Sequence, residues 1–234
     1  MARGLVQSRA RGRDAVLRGI VRVNGAEARK PSQNIAAADV LTLSDESARY
    51  VSRAALKLIH SFEVFDIDPK GKSCVDLGAS TGGFTQVLLE AGATHVTAID
   101  VGHGQMVPHL AQDPRVTLRE GLNARDITAA DIPADVSLVV SDVSFISLKL
   151  ALPPVLSLVA ENTTLITLIK PQFEVGRAAL GKGVVVREEV MLTATCAGTA
   201  SFINGLGWRV LGLVPSPIEG GDGNREFLLA ACKP

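Results

Sequence analysis

The chain has 234 residues, 47% of them hydrophobic, with 24 Lys and Arg balanced by 24 Asp and Glu. That length holds one large domain, or a main domain with a small appendage, and the apolar fraction excludes a disordered chain. No run approaches the roughly 18 uncharged apolar residues of a membrane span. The longest candidate, Leu150 to Ala160, contains Pro153 and Pro154. The arginines near the N-terminus accompany no apolar stretch and do not read as a secretory signal. Cys74, Cys196 and Cys232 are odd in number and widely spaced. They form neither a disulfide framework nor a CxxC metal site, which fits a reducing cytoplasm and no bound metal.

The zero net charge conceals an asymmetry. Residues 1–30 carry Arg3, Arg9, Arg11, Arg13, Arg18, Arg22, Arg29 and Lys30 against only Asp14 and Glu27, and the remainder is acidic by the same margin. A basic arm on an acidic body points to a polyanionic partner. Within it, residues 8–19 read as a helix. Val21-Arg22-Val23 then alternates and turns at Asn24-Gly25, a strong hairpin signal. A short strand follows near 39–43, before the polar break Ser44-Asp45-Glu46-Ser47.

From Val51 to Phe65 the apolar positions keep helical spacing. Arg53, Lys57 and His60 fall on another face, a basic strip suited to something anionic. Beyond Pro69 the pattern alternates. Strands are predicted at 73–77, 95–100, 116–119, 136–141, 163–169, 208–214 and 226–232, and the clearest helices at 83–91, 146–160 and 188–205. Such alternation predicts an α/β fold, a doubly wound, mostly parallel seven-stranded sheet covered on both faces. Only a loop, Pro215 to Arg225, separates the last two strands, which predicts an antiparallel pair.

The first strand of that sheet runs into Asp76-Leu77-Gly78-Ala79-Ser80-Thr81-Gly82-Gly83-Phe84-Thr85 and on into a helix. Glycines there let the backbone approach a ligand at the carboxyl end of the strand. The second strand ends in Asp100, 22 residues after Gly78, where a carboxylate can accept hydrogen bonds from both ribose hydroxyls of an adenosine cofactor. A dinucleotide turn would keep G-x-G-x-x-G, but this one reads G-x-x-x-G-G with Asp76 just before it. A carboxylate suits a sulfonium or an amino group better than a pyrophosphate, which favours S-adenosylmethionine. Asn123 or Asp126, after the third strand, are candidates for the adenine edge.

Residues at strand C-termini converge on the ligand crevice of such a sheet. Asp142 closes the fourth strand, Lys170 closes the fifth, and Glu226 opens the last. The loop Asp142-Val143-Ser144-Phe145 lacks the Asn/Asp-Pro-Pro-aromatic pattern that holds an amine for base N-methylation. A hydroxyl nucleophile must instead lose a proton. Desolvation and a second cation nearby favour the neutral amine of a lysine, which is then a base that acids can orient.

Five segments together carry a family resemblance: Tyr50-Val51-Ser52-Arg53-Ala54-Ala55-Leu56-Lys57-Leu58, the turn 76–85, Ser141-Asp142-Val143-Ser144-Phe145-Ile146-Ser147, Lys170-Pro171-Gln172-Phe173-Glu174 and Gly223-Asn224-Arg225-Glu226-Phe227. With them the chain resembles the TlyA family, ribosomal RNA 2′-O-methyltransferases historically labelled hemolysins. The resemblance implies a Rossmann-like class I methyltransferase domain of the FtsJ-like type over 47–234. It also implies a small S4-like RNA-binding module over 1–46, shortened because the usual first helix would precede residue 1. Such an arm is expected to be loosely docked, or the natural start to lie upstream. Carried over to this chain, the family's Lys-Asp-Lys-Glu tetrad is Lys57, Asp142, Lys170 and Glu226. Lys170 is then the general base toward the ribose hydroxyl of ribosomal RNA, a cytidine in the family.

The cofactor expected is S-adenosyl-L-methionine, held by Asp76, Gly78, Ala79, Ser80, Thr81, Gly82, Gly83, Phe84, Asp100, Asn123 and Asp142. RNA contacts are expected from Arg9, Arg11, Arg13, Arg18, Arg22, Lys30 and Arg53, with Arg177 and Lys182 as weaker candidates. Three other readings stay open at this point: an RNA-binding protein with a catalytically silent methyltransferase fold, a nicotinamide-dependent oxidoreductase, and a pore-forming hemolysin. No segment is amphipathic and cationic enough to favour the last.

Overall fold

A computed structural model describes residues 3, 5, 12–13, 15–16, 20–28, 30–43, 49–175, 188–220 and 223–234. The chain divides into two compact units, Met1–Arg49 and Tyr50–Pro234. The predicted helix over 8–19 lies largely outside the described residues, as do Arg9, Arg11, Arg18, Arg177 and Lys182.

In the first unit, β1 (Val21–Val23) pairs antiparallel with β2 (Ala26–Glu27) and with β3 (Leu41–Leu43). Asn24 and Gly25 both have positive φ, 52° and 83°. This is the mirror-image turn whose twist matches a two-residue hairpin. Asn24 also ties the hairpin to the strand after it: its Oδ1 accepts from Val40 N–H at 2.8 Å and its Nδ2 donates to Asp39 Oδ1 at 2.9 Å. The Arg3 guanidinium donates to the carbonyls of Ala36, Ala37 and Asp39. Arg13, Arg22 and Lys30 are exposed.

The second unit is built on a seven-stranded sheet in the order β6-β5-β4-β7-β8-β10-β9. Its strands are β4 (Ser73–Leu77), β5 (His95–Asp100), β6 (Val116–Glu120), β7 (Val136–Ser141), β8 (Thr164–Ile169), β9 (Arg209–Pro215) and β10 (Phe227–Cys232). Adjacent strands from β6 to β8 are parallel; β10 inserts antiparallel between β8 and β9. The predicted sheet and its closing antiparallel pair are both present, and the strand bounds differ from the expected ones by a residue or so. Every residue of β4 is buried, as befits a central strand covered on both faces.

Helices α1 (Ala55–Phe65) and α2 (Gly83–Glu90) pack on one face of the sheet, through Leu58, Phe84 and Leu88 against Val140, Ile166 and Leu228. The short α3 (Pro108–Ala111) adds Leu110 to that layer. On the other face lie α4 (Leu148–Leu158) and, after the one-turn α5 (Pro171–Glu174), α6 (Glu189–Gly205). They bring Leu152, Val155, Leu192 and Ile203 against Val75, Val139, Leu165 and Leu229. Leu148, Ala151, Leu152, Val155 and Leu156 are buried at helical spacing, so α4 survives Pro153 and Pro154 in its interior. The carbonyls deprived of a donor by those rings belong to the exposed Lys149 and Leu150, where water can serve instead.

Helix α1 starts later than its apolar pattern predicts. Val51 to Ala54 are irregular: Ala55, Leu56 and Lys57 donate to the carbonyls three residues back, at 3.2, 3.1 and 2.9 Å. Val51 N–H is drawn instead to Gln86 Oε1 on α2, at 2.9 Å. A side-chain acceptor on a neighbouring helix has overridden the local periodicity. The helix ends at Asp66, in the left-handed conformation, whose N–H returns to Phe62 O.

Leu152 is fully buried between α4 and the sheet. Leu152→Ala is expected to destabilise the second unit by about 2–5 kcal/mol, the usual range for opening a core cavity. Urea unfolding checks this, and a loss below about 1 kcal/mol would contradict the packing described.

Candidate active site

Strand β4 has β5 on one side and β7 on the other. The chain therefore reverses its winding there, and a crevice opens beyond the carboxyl ends of these strands. A cavity of about 730 Å³ occupies that place, a size suited to a small-molecule cofactor. Gly78 closes β4 with φ 87°, and its N–H and that of Ala79 donate to Ile99 O at 2.8 and 3.1 Å. A β-carbon at position 78 would stand 3.1 Å from Asp142 C and O and from Val143 Cα. Only glycine lets the β4 turn and the loop after β7 approach so closely.

Two carboxylates flank this turn. Asp100 lines the cavity; its Oδ2 accepts from Ser80 N–H at 2.8 Å and its Oδ1 from Gly102 N–H at 2.7 Å. Asp76 is wholly buried: Oδ2 accepts from the Thr85 hydroxyl at 2.7 Å, while Oδ1 has no partner. Burial pushes its carboxyl up to about 7, and the charges of Asp142 and Asp100 push the same way. An unsatisfied buried carboxyl oxygen invites a cationic or donor group.

Of the residues predicted to hold the cofactor, Gly78, Ser80, Asp100, Asn123 and Asp142 line the cavity. Asp76, Ala79, Thr81, Gly82, Gly83 and Phe84 are not among its lining residues. Gly82 and Gly83 instead serve packing. A β-carbon at 82 would meet Leu110 Cδ1 at 2.6 Å, and one at 83 would meet Ser52 Cβ at 2.8 Å. Asn123 caps a single 3₁₀ turn, Ala124–Asp126, with its Oδ1 accepting from Arg125 N–H at 3.1 Å. The other adenine candidate, Asp126, is exposed and not among the lining residues. Val101, Gln105, Leu122, Ser144, Phe145 and Leu150, not among the predicted site residues, also line the cavity.

Beside the cavity, four charged side chains from four elements meet. Lys57 comes from the first turn of α1, Asp142 and Lys170 from just past β7 and β8, and Glu226 from just before β10. The antiparallel pairing of Phe227 with Ile169 sets Glu226 at the same sheet edge as Lys170. Lys57 Nζ lies 2.5 Å from Glu226 Oε2 and 3.8 Å from Asp142 Oδ2, and Lys170 Nζ lies 2.7 Å from Asp142 Oδ1. The result is an alternating row, Glu226, Lys57, Asp142, Lys170. Their side chains are 3, 7, 14 and 10% exposed. Lys170 meets Asp142 Oδ1 outside the angular range of a hydrogen bond, so that contact is an ion pair. Its donated bonds go to Ser144 Oγ at 2.7 Å and, weakly, to Asp142 O at 3.4 Å.

This corrects the basic strip expected on α1. Lys57 is buried against Glu226, so the anion it faces is supplied from within the chain. Arg53 is exposed and donates to Gly220 O at 3.3 Å, and His60 is half-buried. Gly220 is tightly matched to the row, because a β-carbon there would fall 2.0 Å from Glu226 Oε1.

At the cavity lip stands Phe145, 91% exposed and with φ 65°, its ring 5.2 Å from that of Phe173. Burial pushes the thiol of Cys74 up to about 12 and that of Cys196 up to about 11, away from the reactive thiolate. Among the described residues no group of three or more His, Cys, Asp or Glu is placed to hold a metal ion.

Comparison with known proteins accords with this geometry. A model of the FtsJ-like methyltransferase family matches residues 50–233. The 16S/23S rRNA (cytidine-2′-O)-methyltransferase TlyA of Mycobacterium tuberculosis is 42% identical over 228 residues, 97% of this chain and 85% of that protein. A solved structure described as a candidate hemolysin from Streptococcus thermophilus superposes with a TM-score of 0.80 at 39% identity, covering 99% of this chain and 85% of that one. A solved structure described as a candidate S-adenosylmethionine-dependent methyltransferase from Listeria monocytogenes, at 17% identity and TM-score 0.58 over 78% of this chain and all of its own, shares the fold. This chain therefore belongs to the FtsJ-like methyltransferase family and, within it, to the TlyA group.

Proposed function

We propose that this protein transfers a methyl group from S-adenosylmethionine to a ribose 2′-hydroxyl of ribosomal RNA, a cytidine as in the named M. tuberculosis relative. The observation that carries this reading is the buried, alternating row of Lys57, Asp142, Lys170 and Glu226 at the edge of the cavity. Bound there, the cofactor supplies an electrophilic methyl group on a sulfonium.

The residues present fit that cofactor. Asp76, with one oxygen unsatisfied, suits its ammonium group, and Asp100 suits the ribose hydroxyls. Gly78 keeps the wall open where a β-carbon would crowd Asp142 and Val143. Val101, Leu122 and Asn123 offer an apolar slot with one polar edge for the base.

Lys170, in its neutral form, accepts the proton of the 2′-hydroxyl as that oxygen attacks. The ammonium so formed rests between Asp142 and the Ser144 hydroxyl. Glu226 fixes Lys57, and Lys57 shares Asp142, so the carboxylate that orients the base is itself oriented. With Lys170 neutral the row carries one negative charge in excess; the proton it takes up restores the alternation with the groups already in place, and positioning of this kind supplies much of an enzyme's rate gain. Phe145 offers an apolar face at the lip for an unstacked base.

We assign the first unit as the S4-like module of the group, with Arg13, Arg22 and Lys30 exposed for phosphate contact and Arg53 serving from the second unit. No helix among the described residues is long and apolar enough to cross a membrane. A cytoplasmic location, where ribosomes are made, completes the proposal.

The test is incubation with radiolabelled S-adenosylmethionine and ribosomal subunits, followed by alkaline hydrolysis. A labelled, alkali-resistant dinucleotide is expected; label recovered only in mononucleotides would contradict ribose methylation. Asp76 gives a second expectation. Its carboxyl, raised to about 7 by burial, must ionise to receive an ammonium group. S-adenosylhomocysteine should therefore bind more tightly as pH rises from 6 to 8, and this dependence should vanish in Asp76→Asn. Calorimetry reads both. In the free protein Asp76 should act the other way on stability: its contribution is present at acidic pH and lost as pH rises through 7, because ionising a carboxyl without a partner opposes folding, so the parent should lose stability relative to Asp76→Asn over that range.

A further inference from the structure

Glu174 belongs to none of the roles above, yet both of its oxygens are committed. Oε1 accepts from Leu148 N–H at 2.8 Å, and Oε2 accepts from the Ser147 hydroxyl at 2.6 Å. Ser147 Oγ in turn accepts from Lys149 N–H at 3.2 Å. The carboxylate thus closes the N-terminus of α4 from a different element, 26 residues away in the chain. Helix N-termini favour such a negative charge.

What precedes α4 gives this contact its meaning. Residues 142–147 form the loop that carries Asp142, Ser144 and Phe145. Phe145 holds a left-handed φ of 65°. An aromatic residue stays in that region only where its surroundings over-determine it. The segment 170–174 grips the loop three times: Lys170 holds Asp142 and Ser144, Phe173 meets Phe145, and Glu174 holds Ser147 and Leu148. The first two contacts are made by groups that face the cavity or its lip. The third joins Glu174 to Ser147, which lines the cavity, and to the backbone of α4; none of these groups has a step in the chemistry, so the contact can hold the loop while the others engage substrate.

We propose that Glu174 is a positioning residue, fixing the loop 142–147 against the Lys170 segment so that Asp142, Ser144 and Phe145 keep their places. This rests on the ribose methylation reading for its effect on rate, but not for its effect on the loop. Glu174→Ala removes both acceptors. Glu174→Gln keeps one oxygen for Leu148 N–H and offers an amide N–H to Ser147 Oγ. Ser147→Ala removes one contact and leaves the other.

The experiment is hydrogen exchange by mass spectrometry on the full chain, with kcat for methyl transfer at saturating RNA and cofactor. In Glu174→Ala, amides of 142–148 should exchange at least about tenfold faster, with β4 and β5 unchanged. The kcat should fall on the order of 10- to 100-fold, the scale of a misplaced reacting group. Glu174→Gln should return both to within about threefold of the parent, and Ser147→Ala should fall between. Unchanged exchange over 142–148 in Glu174→Ala overturns the proposal. So does faster exchange spread over the whole domain that Glu174→Gln fails to rescue, since that marks general destabilisation. If the parent chain transfers no methyl group, the methylation reading fails separately, and the exchange data alone decide the place of Glu174.

Discussion

Four charges kept almost out of water at one edge of a sheet are the constraint around which the second unit is arranged. An unpaired charge in such a place is strongly unfavourable, and removing one partner of a buried pair leaves the other stranded. The row from Glu226 through Lys57 and Asp142 to Lys170 meets this by strict alternation of sign. Each member comes from a different element, so the row exists only when α1, β7, β8 and β10 are all in place. The antiparallel insertion of β10 beside β8 is the topological means, because it brings the start of the last strand to the carboxyl ends of the parallel ones.

The same edge explains the cavity. Gly78 permits the β4 turn and the Asp142 loop to touch through backbone alone, which sets the cavity wall directly beside the charged row. Asp142 belongs to both, lining the cavity and pairing with two lysines. Its charge also reaches the buried Asp76.

Much of this was legible in the residues themselves. The strands of the parallel sheet are apolar runs alternating with helical stretches, and Asp100 stands out by its interval from Gly78. Asp142, Lys170 and Glu226 were noticed because charged residues at strand ends are conspicuous. Lys57 was not readable that way. On the helical pattern it belongs to a basic strip, and its partner Glu226 lies 169 residues off; the residues offer it only as a second cation near the base, and the family resemblance gives it its place in the tetrad. The late start of α1 was hidden for a related reason, since the acceptor for Val51 N–H is a side chain on α2. Glu174 left no periodic trace at all. Contacts between side chain and backbone across distant segments have no local signature, whereas burial on a regular element does.

The central claim is that Lys170 takes the proton of the attacking hydroxyl, and Lys170→Met tests it most directly. Methionine keeps the length and the apolar body of the side chain while removing its basic nitrogen. Single-turnover methyl transfer should then fall at least about 100-fold, the scale of losing a general base, with S-adenosylhomocysteine affinity within about threefold of the parent. Transfer within a few fold of the parent would contradict the account and assign the proton to another group.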